Sequence, residues 1–233
     1  MDVSLPGSLV DIAADHVRSA ILGGRMRPGD PLRVRELQEQ LGFSHIPIRE
    51  AIRQLEAEGL VVAPPRRTPV VAGVSLDEFI AVYELRRMIE LPTIRAARRA
   101  AGPEDEALVR HAFAAYERVA AEPSSPEYWK RHEEFHWALI AAGANPWTRR
   151  VLDPLWRSAE RFVRLFVQTY ASPEETLALH RVLLDAYEAG DPEALASALE
   201  EHFAETERGV RQRFVAENGA EPATRPRRRA PER

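Results

Sequence analysis

At 233 residues the chain is long enough for one large domain or two modest ones, each with a core of its own. Hydrophobic content of 45 % and charged content of 29 % are ordinary for a globular protein, and the lack of any cysteine excludes disulfides and thiolate metal sites. A formal net charge of −4 gives no global attraction for nucleic acid, so any positive surface must come from placement. The opening Met1-Asp-Val-Ser-Leu-Pro-Gly has neither a basic n-region nor an apolar h-region. No uncharged apolar run approaches the roughly 18 residues of a membrane span. A cytoplasmic protein without membrane contact is expected.

Leu9, Ile12, Ala13, Val17, Ala20 and Ile21 recur at helical spacing and predict an amphipathic helix over 8–22, ended by Gly23-Gly24. Pro28-Gly29-Asp30-Pro31 reads as a turn. The stretch from Arg33 to Leu60 carries a short helix, a turn at Gly42 and a second helix that stops at Gly59. Leu37 and Leu41 on the first can pack against Ile48, Ile52 and Leu55 on the second, a helix-turn-helix. Ser44, His45, Arg49 and Arg53 then lie near or on its outer side, and hydroxyl and cationic groups at a helix N-terminus suit a DNA major groove. The first 75 residues nevertheless hold nine Arg against nine Asp and Glu. Leu60–Ala63 and Val70–Ala72 flank Pro64-Pro-Arg-Arg-Thr-Pro69 and predict a small hairpin, the wing of a winged helix, with Arg66 and Arg67 at its tip for phosphate or minor groove.

Gly73-Val-Ser75 reads as a linker, and Ser75-Leu-Asp-Glu78 as a capping box opening a long helix to about Ala101. Further helices are predicted over 104–121, 126–142, about 146–170 with Pro154 as a kink, 173–189 and 192 to about 216. Ser125-Pro126, Ser172-Pro173 and Asp191-Pro192 place proline in a first helical turn, where its missing N–H costs nothing. Short connections predict antiparallel packing in a bundle. From Asn218 onward, Pro, Gly and five Arg without apolar periodicity read as a disordered, solvated basic tail.

Histidines are the informative residues of this second part. His132 and His136 stand four apart on one helix, so both rings leave one face; His180 and His202 lie on the last two helices. Three facing helices can bring all four to one interior point, and neutral imidazoles favour Zn, Ni, Cu or Fe. The bland alternative is that these are hydrogen-bonded core histidines. His132-Glu133-Glu134-Phe135-His136 also matches the H-E-x-x-H pattern of zinc hydrolases, which would make Glu133 a general base. A helical bundle offers that chemistry no open cleft. A third possibility is a helical scaffold with an incidental helix-turn-helix pair.

Arg33 to Leu60, and most specifically Pro47-Ile-Arg-Glu-Ala-Ile-Arg-Gln-Leu-Glu-Ala-Glu-Gly-Leu60, resembles the winged helix of GntR-family bacterial transcription regulators. Tyr83-Glu-Leu-Arg-Arg-Met-Ile-Glu90, Phe135-His-Trp-Ala-Leu-Ile-Ala-Ala-Gly-Ala-Asn-Pro146 and His180-Arg-Val-Leu-Leu-Asp-Ala-Tyr-Glu-Ala-Gly-Asp191 resemble the FCD (FadR C-terminal) domain of the FadR subfamily. The likeness covers about residues 8–215. It implies operator contacts from Arg35, Ser44, His45, Ile46, Pro47 and Arg49. His45 stands where the family usually has Arg, so bidentate guanine recognition is not available at that position. The proline-rich wing likewise replaces the usual glycine-containing tip. The resemblance also implies a divalent metal, Zn or Ni, on His132, His136, His180 and His202. His132 replaces the usual acidic ligand, which leaves the ligand set neutral. Small carboxylic acids are the family's usual effectors, and Arg86 is the candidate arginine for one, ahead of Arg87 and Arg95, with solvated surface charge as the alternative for all three.

The expectation is therefore a mainly α protein: a winged helix-turn-helix over 1–73, an antiparallel helical metal- and effector-binding domain over 74–217, and a basic tail over 218–233. It would be a homodimeric, ligand-responsive regulator, a repressor in the first instance, that binds double-stranded operator DNA at an inverted repeat. A metal-dependent hydrolase is the alternative from another class. Coupling between effector and DNA is expected through the 73–75 linker.

Overall fold

A computed structural model of the chain describes residues 8–123, 125–166 and 172–218. The first helix, α1 (Leu9–Leu22), begins at a reciprocal cap: the Ser8 hydroxyl accepts from the Asp11 N–H at 3.2 Å while the Asp11 carboxylate accepts from the Ser8 N–H at 3.1 Å. Its buried face is Ala13, Ala14, Val17, Ala20 and Ile21, whereas Leu9 and Ile12 are exposed. The expected stripe is thus shifted toward small residues, because α1 packs closely on the third helix and leaves its first turn outside the core.

α2 (Val34–Leu41) and α3 (His45–Ala57) form the helix-turn-helix. Gly42 takes φ 68° at the turn, a conformation a side chain would strain, and its N–H donates to the Gln38 carbonyl at 2.9 Å. Leu37, Ile48, Ile52 and Leu55 are buried together with Leu32, Leu60, Val61 and Val71, so this part has its own core. β1 (Val61–Val62) and β2 (Val70–Val71) pair antiparallel with Val61 opposite Val71. The Pro28–Pro31 segment does more than turn. Its Asp30 carbonyl accepts from Val71, and Leu32 donates to Pro69, so it lies against β2 as a third edge.

Among the described residues, the rest is helical: α4 (Leu76–Ala100), α5 (Pro103–Glu117), α6 (Pro126–Ala141), α7 (Thr148–Phe166), α8 (Pro173–Ala189) and α9 (Pro192–Asn218). Ser75 caps α4 through the Glu78 N–H at 3.4 Å, and Ser172 makes a full capping box with Glu175. α5 stops at Glu117, four residues short of expectation, where 118–121 close into turns. α9 runs through Asn218, the first residue of the expected tail; the remainder of that tail, and the 167–170 end expected of α7, lie outside the described residues. α4 is the central helix, packed on α6, α7 and α9, while α8 closes against α5 and α9. Phe79, Tyr83, Phe135, Phe162, Leu183 and Phe203 anchor this larger core. The turn after α6 meets α4 at Gly143, where an added Cβ would stand 2.4 Å from the Thr93 oxygen and the Ala97 nitrogen. No helix among the described residues is long and apolar enough to cross a membrane.

Candidate functional site: a histidine cluster in the helical part

The spacing of four carries His132 and His136 to one face of α6, and α8 and α9 bring His180 and His202 opposite. Potential ligand atoms of His132, His136 and His180 all lie within 4.8 Å of one another. His202 joins them, with ring centroids 4.7 Å from His180 and 5.2 Å from His136. The rings of all four histidines are therefore neighbours, and the ligand atoms that lie mutually close are those of His132, His136 and His180. Tyr116, Tyr128, Trp129 and Phe135 pack around the rings.

The electrostatics of the cluster follow from this burial. His180 Nδ1 lies 2.7 Å from the Thr176 carbonyl, one helical turn earlier. That nitrogen is the donor, so Nε2 carries the lone pair. Nε2 of His136, Nε2 of His180 and Nδ1 of His202 are buried with no hydrogen-bond partner. Burial holds the pKa of His180 down to about 4, against the Thr176 carbonyl, which raises it. His132, His136 and His202 lie well below the usual imidazole value, first through burial and then through the neighbouring histidines. Neutral ligand nitrogens of His132, His136 and His180 lie close together, and Nε2 of His136 and of His180 lacks a partner at a desolvation cost, as does Nδ1 of the neighbouring His202. Such a donor set fits a divalent ion.

The cluster lies at a cavity of about 690 Å³ between α4, α6, α7, α8 and α9. Arg86 lines it, but not as solvated charge. It is buried, its Nε donates to Glu90 at 2.6 Å, and its guanidinium lies between the rings of Tyr83 and Phe203. Glu90, which sequence reasoning passed over, also accepts from the Trp156 indole at 2.9 Å. Arg87 instead ties α4 to α9 through Glu200 and Glu207, and Arg95 pairs with Glu193. Glu133 faces Arg149 at 3.6 Å, and its pKa is raised by burial and then by Asp153 and Glu160.

The other expected site lies on α3 and the wing. Ser44, His45, Ile46 and Arg49 are exposed at the start of α3, with Ile46 74 % exposed and Pro47 part-buried. His45, Arg49, Arg66 and Arg67 line one groove between α3 and the wing, joined by Arg53. Arg66 has φ 61°, which turns the wing tip without the usual glycine. Arg35 stands apart on α2, with a 91 % exposed side chain and a 3.3 Å contact to Glu39. An exposed pair of this kind is weak enough to open for phosphate.

Arg161 on α7 joins the two parts, and nothing in the sequence pattern pointed to it. It is buried; Nη1 donates to the Gly59 carbonyl at 3.2 Å and Nη2 donates to the Ala72 carbonyl. Those carbonyls end the α3 turn and the wing. Burial lowers its pKa, while Glu78 acts to raise it.

Two family models match the chain: bacterial regulatory proteins of the gntR family over residues 9–71, and the FCD domain over 81–205. An uncharacterised HTH-type transcriptional regulator, BphR of Paraburkholderia xenovorans, is 28 % identical over 211 residues, 88 % of this chain and 86 % of the relative. A probable D-xylose utilization operon transcriptional repressor of Paenarthrobacter nicotinovorans is 29 % identical over 191 residues, 82 % of this chain and 83 % of its own. The transcriptional repressor GlaR of Escherichia coli is 26 % identical over 195 residues, covering 80 % and 89 %. Among solved structures, Escherichia coli McbR/YncC superposes with a TM-score of 0.73 at 20 % identity, over 90 % of this chain and 100 % of that one. A GntR regulator from Rhodococcus gives 0.74 at 22 % identity, over 88 % and 99 %. At those identities the structures speak for the fold alone. The chain, with its winged helix and FCD domain, belongs to the GntR family of bacterial transcription regulators.

Proposed function

We propose that this regulator is a ligand-responsive repressor whose helical domain senses a small carboxylate through a metal, zinc or nickel, held by His132, His136, His180 and His202. The carrying observation is the approach of His132, His136 and His180, whose ligand nitrogens lie within 4.8 Å of one another, with Nε2 of His136 and of His180 buried and without a hydrogen-bond partner. A bound divalent ion there supplies positive charge and open positions for an anion. The Thr176 carbonyl orients His180, and aromatic residues pack against the rings. Arg86, fixed by Glu90, adds positive potential at the cavity without being free to leave. The hydrolase alternative is set aside. The family model and the relatives are of transcription regulators.

DNA recognition is assigned to Arg35, Ser44, His45, Ile46, Pro47 and Arg49, with Arg66 and Arg67 on phosphate. In this reading the divisions fall at 73/74 and 217/218, the protein belongs to the FadR subfamily, and it works in the cytoplasm as a homodimer on an inverted repeat, one half-site per subunit. Exposed Leu85 and Met88 on α4 give a second copy an apolar surface to cover. The repressor assignment draws on the two relatives named as repressors. Elemental analysis of the purified protein beside His136→Ala tests the metal. Metal bound to the wild type and lost from the variant is expected; equal content in both would sink the site.

A further inference from the structure

We infer that the ligand taken by the cavity is a monocarboxylate with an apolar, ring-sized body, rather than a di- or tricarboxylate. The inference rests on the proposed metal at the histidines and adds the ligand's class. A pocket of about 690 Å³ is of the size that encloses a drug-sized ligand. A compact acid of a few carbons would fill only its histidine end. Much of the remaining lining is apolar: Trp129 from α6, Trp156, Ala159 and Val163 from α7, and Leu179 and Val182 from α8. Leu179 and Val182 are left 37 % and 56 % exposed, so a ligand body lying against them removes apolar surface from water.

Charge decides how many carboxylates the ligand carries. The cationic side chains lining the cavity are Arg86 and Arg208, and both are already paired, Arg86 with Glu90 and Arg208 with Glu201 and Glu205. Glu133, Glu160, Glu175 and Glu205 also line it. A first carboxylate meets the metal. Among the described residues the lining carries more carboxylates than guanidinium groups, so burying a second carboxylate there without a partner is unfavourable.

The test is calorimetry on the full chain loaded with zinc, titrated with 4-phenylbutanoate, acetate and citrate. The phenyl acid is expected to bind about tenfold or more tighter than either of the others. Its heat-capacity change should also be the most negative. Leu179→Ser together with Val182→Thr, neutral changes at exposed positions, should shrink that advantage and leave zinc and acetate binding unchanged. Citrate binding as tightly as the phenyl acid, equal affinity for all three, or binding of none overturns the inference while the zinc site stands. A chain that takes up no zinc in competition with a chelator fails at the histidine reading itself.

Discussion

His180 donates through Nδ1 to Thr176, and its Nε2 is thereby committed as a lone pair toward the cluster. Burial lowers its pKa from 6.5 to about 4, and the same cause depresses the other three histidines. A group whose folded pKa lies below its unfolded value favours folding above the unfolded pKa and opposes it as pH falls toward the folded one. The metal-free protein should therefore lose stability between pH 6.5 and about 4, read as a falling denaturant midpoint. A midpoint flat across that window would contradict neutral, buried rings. Zinc uptake gives a second check. At about pH 6 ordinary histidines are mostly protonated and would release protons on binding, whereas these should release almost none. Calorimetry in two buffers of different ionisation enthalpy should then give the same heat.

How far single residues could be read from the sequence depended on the range of their contacts. The four histidines were legible because helical periodicity fixes which face each ring leaves. Glu90 lies one turn after Arg86, so the pairing was available from spacing, but its burial was not. Arg161 was illegible, since its acceptors lie 102 and 89 residues away and are backbone carbonyls without a sequence signature.

At the scale of elements, proline and glycine signals located most helix starts, and α8 matches its expected bounds, 173–189. Faces were harder. α1 buries Ala14 and exposes Leu9 and Ile12, because close packing between helices selects small residues where hydrophobicity alone would choose large ones. The third edge against β2 was hidden for a related reason: Pro28–Pro31 carries turn residues, and the pairing uses backbone groups that any side chain permits. Gly143, in the turn after α6, marks a close approach to α4. Gly143→Ala should push a methyl into the backbone of Thr93 and Ala97 and destabilise the bundle by about 1–3 kcal/mol, the usual cost of overpacking. Denaturant unfolding at unchanged slope measures it; a wild-type midpoint would mean that the helices separate freely.

For the whole molecule, α7 is the element common to both ends. Trp156, Ala159 and Val163 line the cavity, while Arg161 holds the Gly59 and Ala72 carbonyls beneath the reading helix and wing. This contact bypasses the 73–75 linker expected to carry the coupling, and a displacement of α7 by a bound ligand would reach α3 through it. Arg161→Met removes the donors and keeps much of the length. Its DNA affinity without ligand should stay within about threefold of wild type, while the ligand response drops by about fivefold or more. A full response in that variant would place the coupling elsewhere.

The most direct measurement of the link between histidine cluster and DNA is fluorescence anisotropy on a duplex selected in vitro by the purified chain. Affinity is measured with zinc bound, with and without a saturating carboxylate, for wild type and His136→Ala. The wild type should weaken on the duplex by about fivefold or more when the carboxylate binds, as typical coupling energies allow, and the variant should not respond. An unchanged affinity in a wild type that demonstrably holds zinc and carboxylate, or an equal shift in His136→Ala, would contradict control of DNA reading by the histidine cluster.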